Sequence, residues 1–290
     1  MNHFHLNIRY YVLGILLIVC LLIWYVLLSN GVTRKLEVAF LNIGQGDSIF
    51  IESPNGHQML VDGGPDRSVL SRLSQLMPFY DRTIDVVLAT HPDKDHIAGL
   101  VDVLSKYRVG VVIMTEATSS TDVFQSLLKA AEKSGATIIH PRRGMIVKFG
   151  EGADFRILFP DRSMAGQIDT NLTSIVGRVG YGKEGFLLTG DSPMAVEHYE
   201  VSLDRKILQS DVLKPGHHGS KTSTSAEFVG VVNPIYAVLS VGKDNLYGHP
   251  NQETLATLNQ FDVKILRTDE DGTIVFKTDG ETLSAPTFKK

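Results

Sequence analysis

The 290-residue chain has one cysteine, Cys20. No disulfide framework and no cysteine-built zinc site can form within it. It also lacks an excess of basic charge, since 28 Lys and Arg stand against 32 Asp and Glu. A globally basic nucleic-acid binder is not indicated, and only a local basic groove stays open. No internal repeat and no low-complexity linker occurs. With 43% hydrophobic and 21% charged residues, a disordered or collagen-like chain is excluded. Only one long apolar run exists, which excludes a multi-span membrane protein.

That run is Tyr10 to Leu28, 19 residues without a charge. At about 1.5 Å per residue it matches the roughly 30 Å core of a bilayer. Tyr10, Tyr11, Trp24 and Tyr25 lie near its ends, where amphipathic rings favour the interface. A cleaved signal peptide is the competing reading, but the run is long for one and the SNG that follows is a poor cleavage site. Val19 before Cys20 also argues against a lipoprotein. The reading is therefore a membrane anchor over residues 1–30 and one soluble domain over 31–290. Arg9 before the span and Arg34 and Lys35 after it nearly balance, so the charges leave orientation open. A signal anchor would put the domain outside the cytoplasm, on a single-pass protein of the cell membrane. The absence of cysteine beyond the span is compatible with that compartment.

Residues 31–290 alternate apolar runs with amphipathic stretches. Strands are predicted at Lys35–Leu41, Asp47–Glu52, Gln58–Asp62, Asp85–Ala89, Val109–Met114, Thr137–Ile139, Phe155–Phe159, Thr173–Val179, Gly185–Leu188, Val212–Lys214 and Tyr236–Val241. Helices are predicted at Ser68–Met77, Ile97–Tyr107, Thr121–Lys133, Met194–Tyr199, Ala226–Val231 and Gln252–Asn259. Thr224 three residues before Glu227 reads as a capping box. Pro54-Asn55-Gly56, Asp271-Gly272 and Asp279-Gly280 read as hairpin turns. The order suggests an α/β fold of layered sheets covered by helices.

The densest chemical signal is ATHPDKDHIAG, residues 89–99. His91, Asp93, Asp95 and His96 fall within six residues, between an apolar strand and a helical stretch. A strand-to-helix loop converges such side chains, and imidazole with carboxylate suits divalent cations. Capping of the following helix could use Asp93 or Asp95, but it leaves the flanking histidines unexplained. Asp62 ends MLVDGG, Asp191 ends FLLTGD, His217 and His218 follow DVLKPG, and His249 precedes a helix in YGHP. Asp62 could merely form a turn, and Asp191 could cap the helix near Pro193. Otherwise these are strand-end positions, where α/β sites assemble. The GQGD of residues 44–47 reads as a tight hairpin, because no helix and no P-loop lysine follow it.

These segments resemble the metallo-β-lactamase superfamily, and within it the hydrolase domain of ComEC-type competence proteins. The resemblance rests on FLNIGQGDSIFI, MLVDGG, ATHPDKDHIAGL, DTNLTSIV, LLTGD, LKPGHHGS, SVGKDNLYGHP and RTDEDGTI, in order across residues 36–276. It implies an αββα four-layer sandwich, here preceded by a transmembrane helix, as a stand-alone version of that domain. It also implies two divalent ions, Zn²⁺ or Mn²⁺ with Mg²⁺ possible. One site would hold His91, Asp93 and bridging Asp191. The other would hold Asp95, His96, Asp191 and a late histidine from among His217, His218 and His249. His217 is favoured, leaving His218 and His249 to contact substrate or protonate the leaving group, with Asp95 at the reaction centre. Lys214, Ser220, Lys221 and Arg267 are expected to bind substrate, although solvated surface is the competing reading for the charged ones. Asp62 and Asn171 are expected to support the site.

Two departures from the wider superfamily matter. Asp93 stands where a histidine is usual, and no histidine lies between His140 and Asp191. More carboxylate makes the first site harder and moves its preference toward Mn²⁺ or Mg²⁺. Both departures argue against β-lactam hydrolysis. The resemblance implies a phosphodiesterase or nuclease acting on DNA beside an uptake machinery. Alternatives are a cell-envelope or small-molecule phosphodiester, or a non-catalytic tethered DNA-binding module.

Overall fold

The computed structural model describes residues 2–29, 35–150 and 152–289. The chain divides into two compact units, Met1–Arg34 and Lys35–Lys290. In the first, helix α1 (Asn2–Ser29) is continuous. Its segment Ile8–Tyr25 is long and apolar enough to cross a membrane. The side chains of this segment are exposed, Leu13 at 61% and Tyr11 at 73% for instance. Arg34, used above to weigh orientation, lies outside the described residues.

The second unit begins with strands β1 (Leu36–Phe40), β2 (Ile49–Glu52) and β3 (Gln58–Val61). Then helices alternate with strands: α2 (Ser68–Leu76), β4 (Thr83–Ala89), α3 (Lys94–Lys106), β5 (Arg108–Met114), α4 (Asp122–Ser134) and β6 (Thr137–Ile139). Strands β7 (Ile146–Lys148), β8 (Ala153–Phe159), β9 (Val176–Tyr181) and β10 (Glu184–Leu188) form a second antiparallel run. A second alternation follows: α5 (Met194–Leu203), β11 (Val212–Lys214), α6 (Ala226–Val232), β12 (Tyr236–Leu239), α7 (Gln252–Gln260) and β13 (Lys264–Arg267). The short helix α8 (Thr268–Asp271) and strands β14 (Thr273–Thr278) and β15 (Thr287–Lys289) close the chain. One sheet runs β15-β14-β1-β2-β3-β4-β5-β6 and the other β13-β12-β11-β10-β9-β8-β7. Each is antiparallel where hairpins join the strands and parallel where helices cross over.

Side-chain alternation places the core. Leu36, Val38 and Phe40 of β1 point between the sheets, while Ala39 and Leu41 point to the helices. Phe186 and Leu188 of β10 face the other sheet and Leu187 faces its own helices. Strands buried on both faces read as continuous apolar runs, which is why DVVLA carries no polar alternation. The helix faces pack likewise: Ile97, Leu100, Val103 and Leu104 of α3 are buried. The result is the expected αββα sandwich.

One close approach matters for the site. A Cβ on Gly99 would lie 2.0 Å from the Gly63 carbonyl oxygen and 2.5 Å from that of Asp66. Only glycine lets the second turn of α3 seat against the loop that follows β3. That seat carries His96 to Asp62.

Several local expectations are corrected. The cap of α6 is Ser225, which accepts from the Phe228 amide at 3.4 Å. Thr224 takes a positive φ of 66°, and the buried Glu197 carboxylate accepts its amide instead. Asp271-Gly272 ends α8 rather than forming a hairpin turn. Asn171–Thr173, its last residue assigned to a strand above, is a 3₁₀ turn. β7 and β13 carry no signal clear enough for the sequence reading: β7 is three half-exposed residues, and β13 opens on an exposed lysine.

Candidate metal centre

The polar residues converge at the carboxyl ends of β3, β4, β10 and β11, at one edge between the sheets. Asp62 follows β3 and is fully buried. It accepts from the Thr90 amide at 2.8 Å and the Thr90 hydroxyl at 2.7 Å, which ties β3 to the loop after β4. It also faces His96 Nδ1 at 2.8 Å. A carboxylate only accepts, so Nδ1 carries a proton, and in the neutral ring Nε2 is the nitrogen with the lone pair. His91 is set the same way: the Thr90 hydroxyl donates to Asp62, so at 3.0 Å it accepts from His91 Nδ1. Both Nε2 atoms then point inward, as metal-ligating histidines do when their other nitrogen is engaged.

Asp191 follows β10, its amide 3.1 Å from the Ser174 hydroxyl. Oδ1 lies 3.3 Å from His96 Nε2, and Oδ2 lies 3.9 Å from His91 Nε2. Asp93 Oδ2 is 3.6 Å from His91 Nε2. Asp93 occupies the N-cap position of α3 without capping it, so its carboxylate is free to face the cluster. Asp191 makes no cap either. Of the late histidines, His218 lies nearest the second group, while the favoured His217 lies nearer the first. Ligand atoms of Asp95, His96, Asp191 and His218 all lie within 4.8 Å of one another. His218 Nε2 is 3.2 Å from Asp95 and 3.5 Å from Asp191. His217 Nε2 stands 3.9 Å from Asp191 Oδ2, the oxygen that His91 also faces. Two successive positive φ values, 51° and 54°, turn the adjacent rings apart and send His218 into the buried side.

Lys214 is a correction. Expected to meet substrate, it is fully buried. It stands third in β11, on the same inward phase as Val212, so strand alternation aims it between the sheets. Its ammonium pairs with Asp47 Oδ2, donates to the Gly190 carbonyl at 2.7 Å and lies 3.5 Å from Asp191. Asp47 and Gln45 come from the GQGD turn, which sequence reasoning left outside the site. An aspartate in the approach to the apolar strand SIFI was the available signal. Ser220 is buried, and its carbonyl accepts from Thr254 at 3.1 Å; it shapes the turn rather than the cavity. Lys221 is exposed. Arg267 is neutralised by Asp269 at 2.7 Å and Glu270 at 2.8 Å. Asn171 opens the 3₁₀ turn, and its amide donates to Asp169 at 3.1 Å.

The electrostatics call for cations. Asp47, Asp62, Asp93, Asp95 and Asp191 bring five negative charges, against one from Lys214. The imidazoles respond to this charge. Burial pulls His218 down, but Asp191 and Asp47 overcome it and push its pKa up to about 9. His96 is likewise raised by Asp191 and Asp62 against burial. Asp191 is held well below the usual range, because His218 and His96 outweigh its burial. Burial and cationic neighbours lower His217 and His249 instead, which keeps them neutral near pH 7. His91 Nε2, His96 Nε2 and Asp191 Oδ1 are buried without a hydrogen-bond partner among the described residues. Buried polar atoms are nearly always paired, so this set fits divalent metal ions. The cavity above it encloses ≈ 130 Å³ and is lined by Gln45, Asp93, Asp95, Asp191, His217, His218, Tyr247 and His249.

Comparison with known proteins gives the family. A model of the metallo-β-lactamase superfamily matches residues 41–243. The chain is 31% identical over 277 residues to ComE operon protein 3 of Bacillus subtilis (strain 168), covering 90% of this chain and 35% of that protein. It is 30% identical over 266 residues to competence protein ComA of Neisseria gonorrhoeae, covering 87% of this chain and 35% of that one. The chain thus spans about a third of the length of these curated relatives. The metallo-β-lactamase fold protein YhfI from Bacillus subtilis matches with a TM-score of 0.57 at 14% identity, over 84% of this chain and 100% of that one, which speaks for the fold alone. The chain belongs to the metallo-β-lactamase superfamily, whose members are in general metal-dependent hydrolases, and it is similar there to the ComEC-type competence proteins.

Proposed function

We propose that this chain is a membrane-anchored phosphodiesterase that cleaves DNA with two divalent ions. The observation that carries it is the pair of ligand groups sharing Asp191. His91, Asp93 and Asp191 Oδ2 would hold one ion, with His217 at its rim. Asp95, His96, Asp191 and His218 would hold the other. With neutral imidazoles, five carboxylates and one lysine leave a surplus of four negative charges, which two divalent ions balance. Mn²⁺ and Mg²⁺ are favoured over Zn²⁺ at the first group, where carboxylates outnumber imidazoles. When bound, such ions supply Lewis-acid polarisation of a phosphoryl oxygen and a nucleophile at neutral pH.

The chain's own residues do the remainder. Asp62 and Thr90 hold the tautomers of His96 and His91. Lys214 keeps Asp47 and Asp191 compatible in one buried place. His249 lines the cavity, and its Nδ1 has no hydrogen-bond partner among the described residues. Neutral near pH 7, it is the candidate to contact the bound diester. The choice of DNA rests on the similarity to competence proteins, and α1 is the anchor in this reading. The soluble unit would face away from the cytoplasm, beside a DNA-uptake machinery.

The test uses the whole chain in detergent, stripped of metal and resupplied with Mn²⁺, Mg²⁺ or Zn²⁺. End-labelled single- and double-stranded DNA and bis-p-nitrophenyl phosphate are the substrates, and Asp191→Ala is the control. Metal-dependent strand cleavage lost in the variant is the expected result. Cleavage of the small diester alone would replace DNA by a smaller phosphodiester. DNA binding with no cleavage of either would make this a binding module.

A further inference from the structure

An exposed aromatic ring stands at the mouth of the cavity, and nothing above uses it. Residues 242–249 follow β12 and form one wall of the site. Tyr247 is 70% exposed yet lines the same cavity as Asp93 and Asp191. A single exposed tyrosine is ordinary in itself. Three features separate this one.

The first is that its loop is held rigidly. The Asn245 amide nitrogen donates to the Gly242 carbonyl at 3.0 Å and the His249 carbonyl at 2.7 Å. The Asn245 side-chain oxygen accepts from the His249 amide at 3.0 Å. At the base of the loop, the Gly242 amide donates to the Gln45 side chain at 3.0 Å. A Cβ on Gly242 would lie 2.6 Å from the Gln45 backbone nitrogen, so the wall abuts the turn that brings Asp47. The ring is thus preorganised, which lowers the ordering cost of a contact to it.

The second feature is continuity. Tyr247 stacks on His249 with centroids 5.9 Å apart and planes 16° from parallel. His249 meets His217 edge-on at 5.7 Å. His217 in turn is 3.9 Å from Asp191. An aromatic path runs from the rim to the reacting centre.

The third feature is size. The ≈ 130 Å³ of the cavity is well under the ~300–1,000 Å³ of pockets that engulf a small ligand. A space of that size suits a phosphodiester group better than a whole nucleotide, and Tyr247 stands at its edge. Lys243, exposed on the same loop and without an ion pair among the described residues, adds positive charge there.

Accepting the nuclease reading above, we infer that Tyr247 is a specificity-determining residue: a stacking platform for a base of the strand being cut, which makes the site select single-stranded DNA. Every base offers a π-face when unpaired, so such a platform is tolerant of sequence. In a duplex that face is covered by neighbouring bases, and exposing it costs unstacking energy.

The experiment compares the wild type, Tyr247→Ala and Tyr247→Phe as whole chains in detergent with Mn²⁺. The substrates are an oligothymidylate, an abasic strand of equal length and the thymidylate paired with its complement. Tyr247→Ala should raise KM for the thymidylate strand about tenfold, with kcat within about twofold. It should leave KM for the abasic strand unchanged and erode the preference for single strands. Tyr247→Phe should restore wild-type values, because the ring and not the hydroxyl does the stacking. The same contrast is expected without turnover, in anisotropy of labelled strands bound by an Asp191→Ala background. An equal KM change on abasic and thymidylate strands would overturn the proposal, and so would no change on either. A wild type that cuts the small diester but no DNA would remove the nuclease reading and this inference with it. A wild type that cuts DNA while Tyr247→Ala behaves normally removes the inference alone.

Discussion

Replacing Lys214 by methionine isolates the buried charge at the centre of the site. Methionine keeps an unbranched stem of similar volume, so the packing change is small, below about 1.5 kcal/mol. Two charge-assisted contacts disappear: the pair with Asp47 and the bond to the Gly190 carbonyl. At about 1.5–3 kcal/mol each, they total about 3–6 kcal/mol. Removing one partner of a buried pair gives the same scale, about 3–5 kcal/mol, since Asp47 stays behind, buried and under-compensated. A unit of this size loses about 2–4 °C of Tm per kcal/mol, so the metal-free variant should melt about 6–20 °C lower. Thermal unfolding followed by circular dichroism, on the whole chain in detergent with chelator present, measures this. Adding Asp47→Asn should recover part of the loss, because the orphaned charge is then gone. A variant with unchanged Tm and a raised KM would refute the reasoning. It would mean that Lys214 reaches substrate, as the sequence alone suggested.

Two further outcomes follow from the same geometry. Asp62→Asn removes the carboxylate that fixes His96 and Thr90, and metal affinity should fall about 10–100-fold while the fold persists. Competition against a chelating dye reads this, and an unchanged affinity would show that Asp62 only forms a turn. Metal binding should also release protons. His218 is protonated below about pH 9 in the metal-free protein, held so by Asp191 and Asp47 against its burial. A ligand must shed that proton, so apparent affinity rises with pH up to about 9, by up to about tenfold per unit for one proton. Calorimetry at pH 7 in buffers of different ionisation enthalpy counts the protons, and a count of zero would contradict the assignment of His218.

What was legible in the sequence was local. His91, Asp93, Asp95 and His96 share one short loop, so their convergence needs only a strand that ends and a helix that begins. The strand and helix alternation was legible for the same reason, because periods of 2 and 3.6 are properties of neighbouring residues. The apolar N-terminal run likewise needs nothing beyond its own length and composition. Tertiary structure decided everything that joins distant segments. His218 meets Asp95 across 123 residues, and no spacing rule distinguishes it from His217 beside it. Two left-handed backbone residues send the two rings different ways, in the turn after β11. The surroundings of Lys214 were hidden too. A lysine ending a strand reads as surface until a second sheet covers the face it points to and Asp47 arrives from a glycine turn far away in the chain. Local backbone preference is written residue by residue, whereas burial and pairing of charges exist only once the two sheets close on each other.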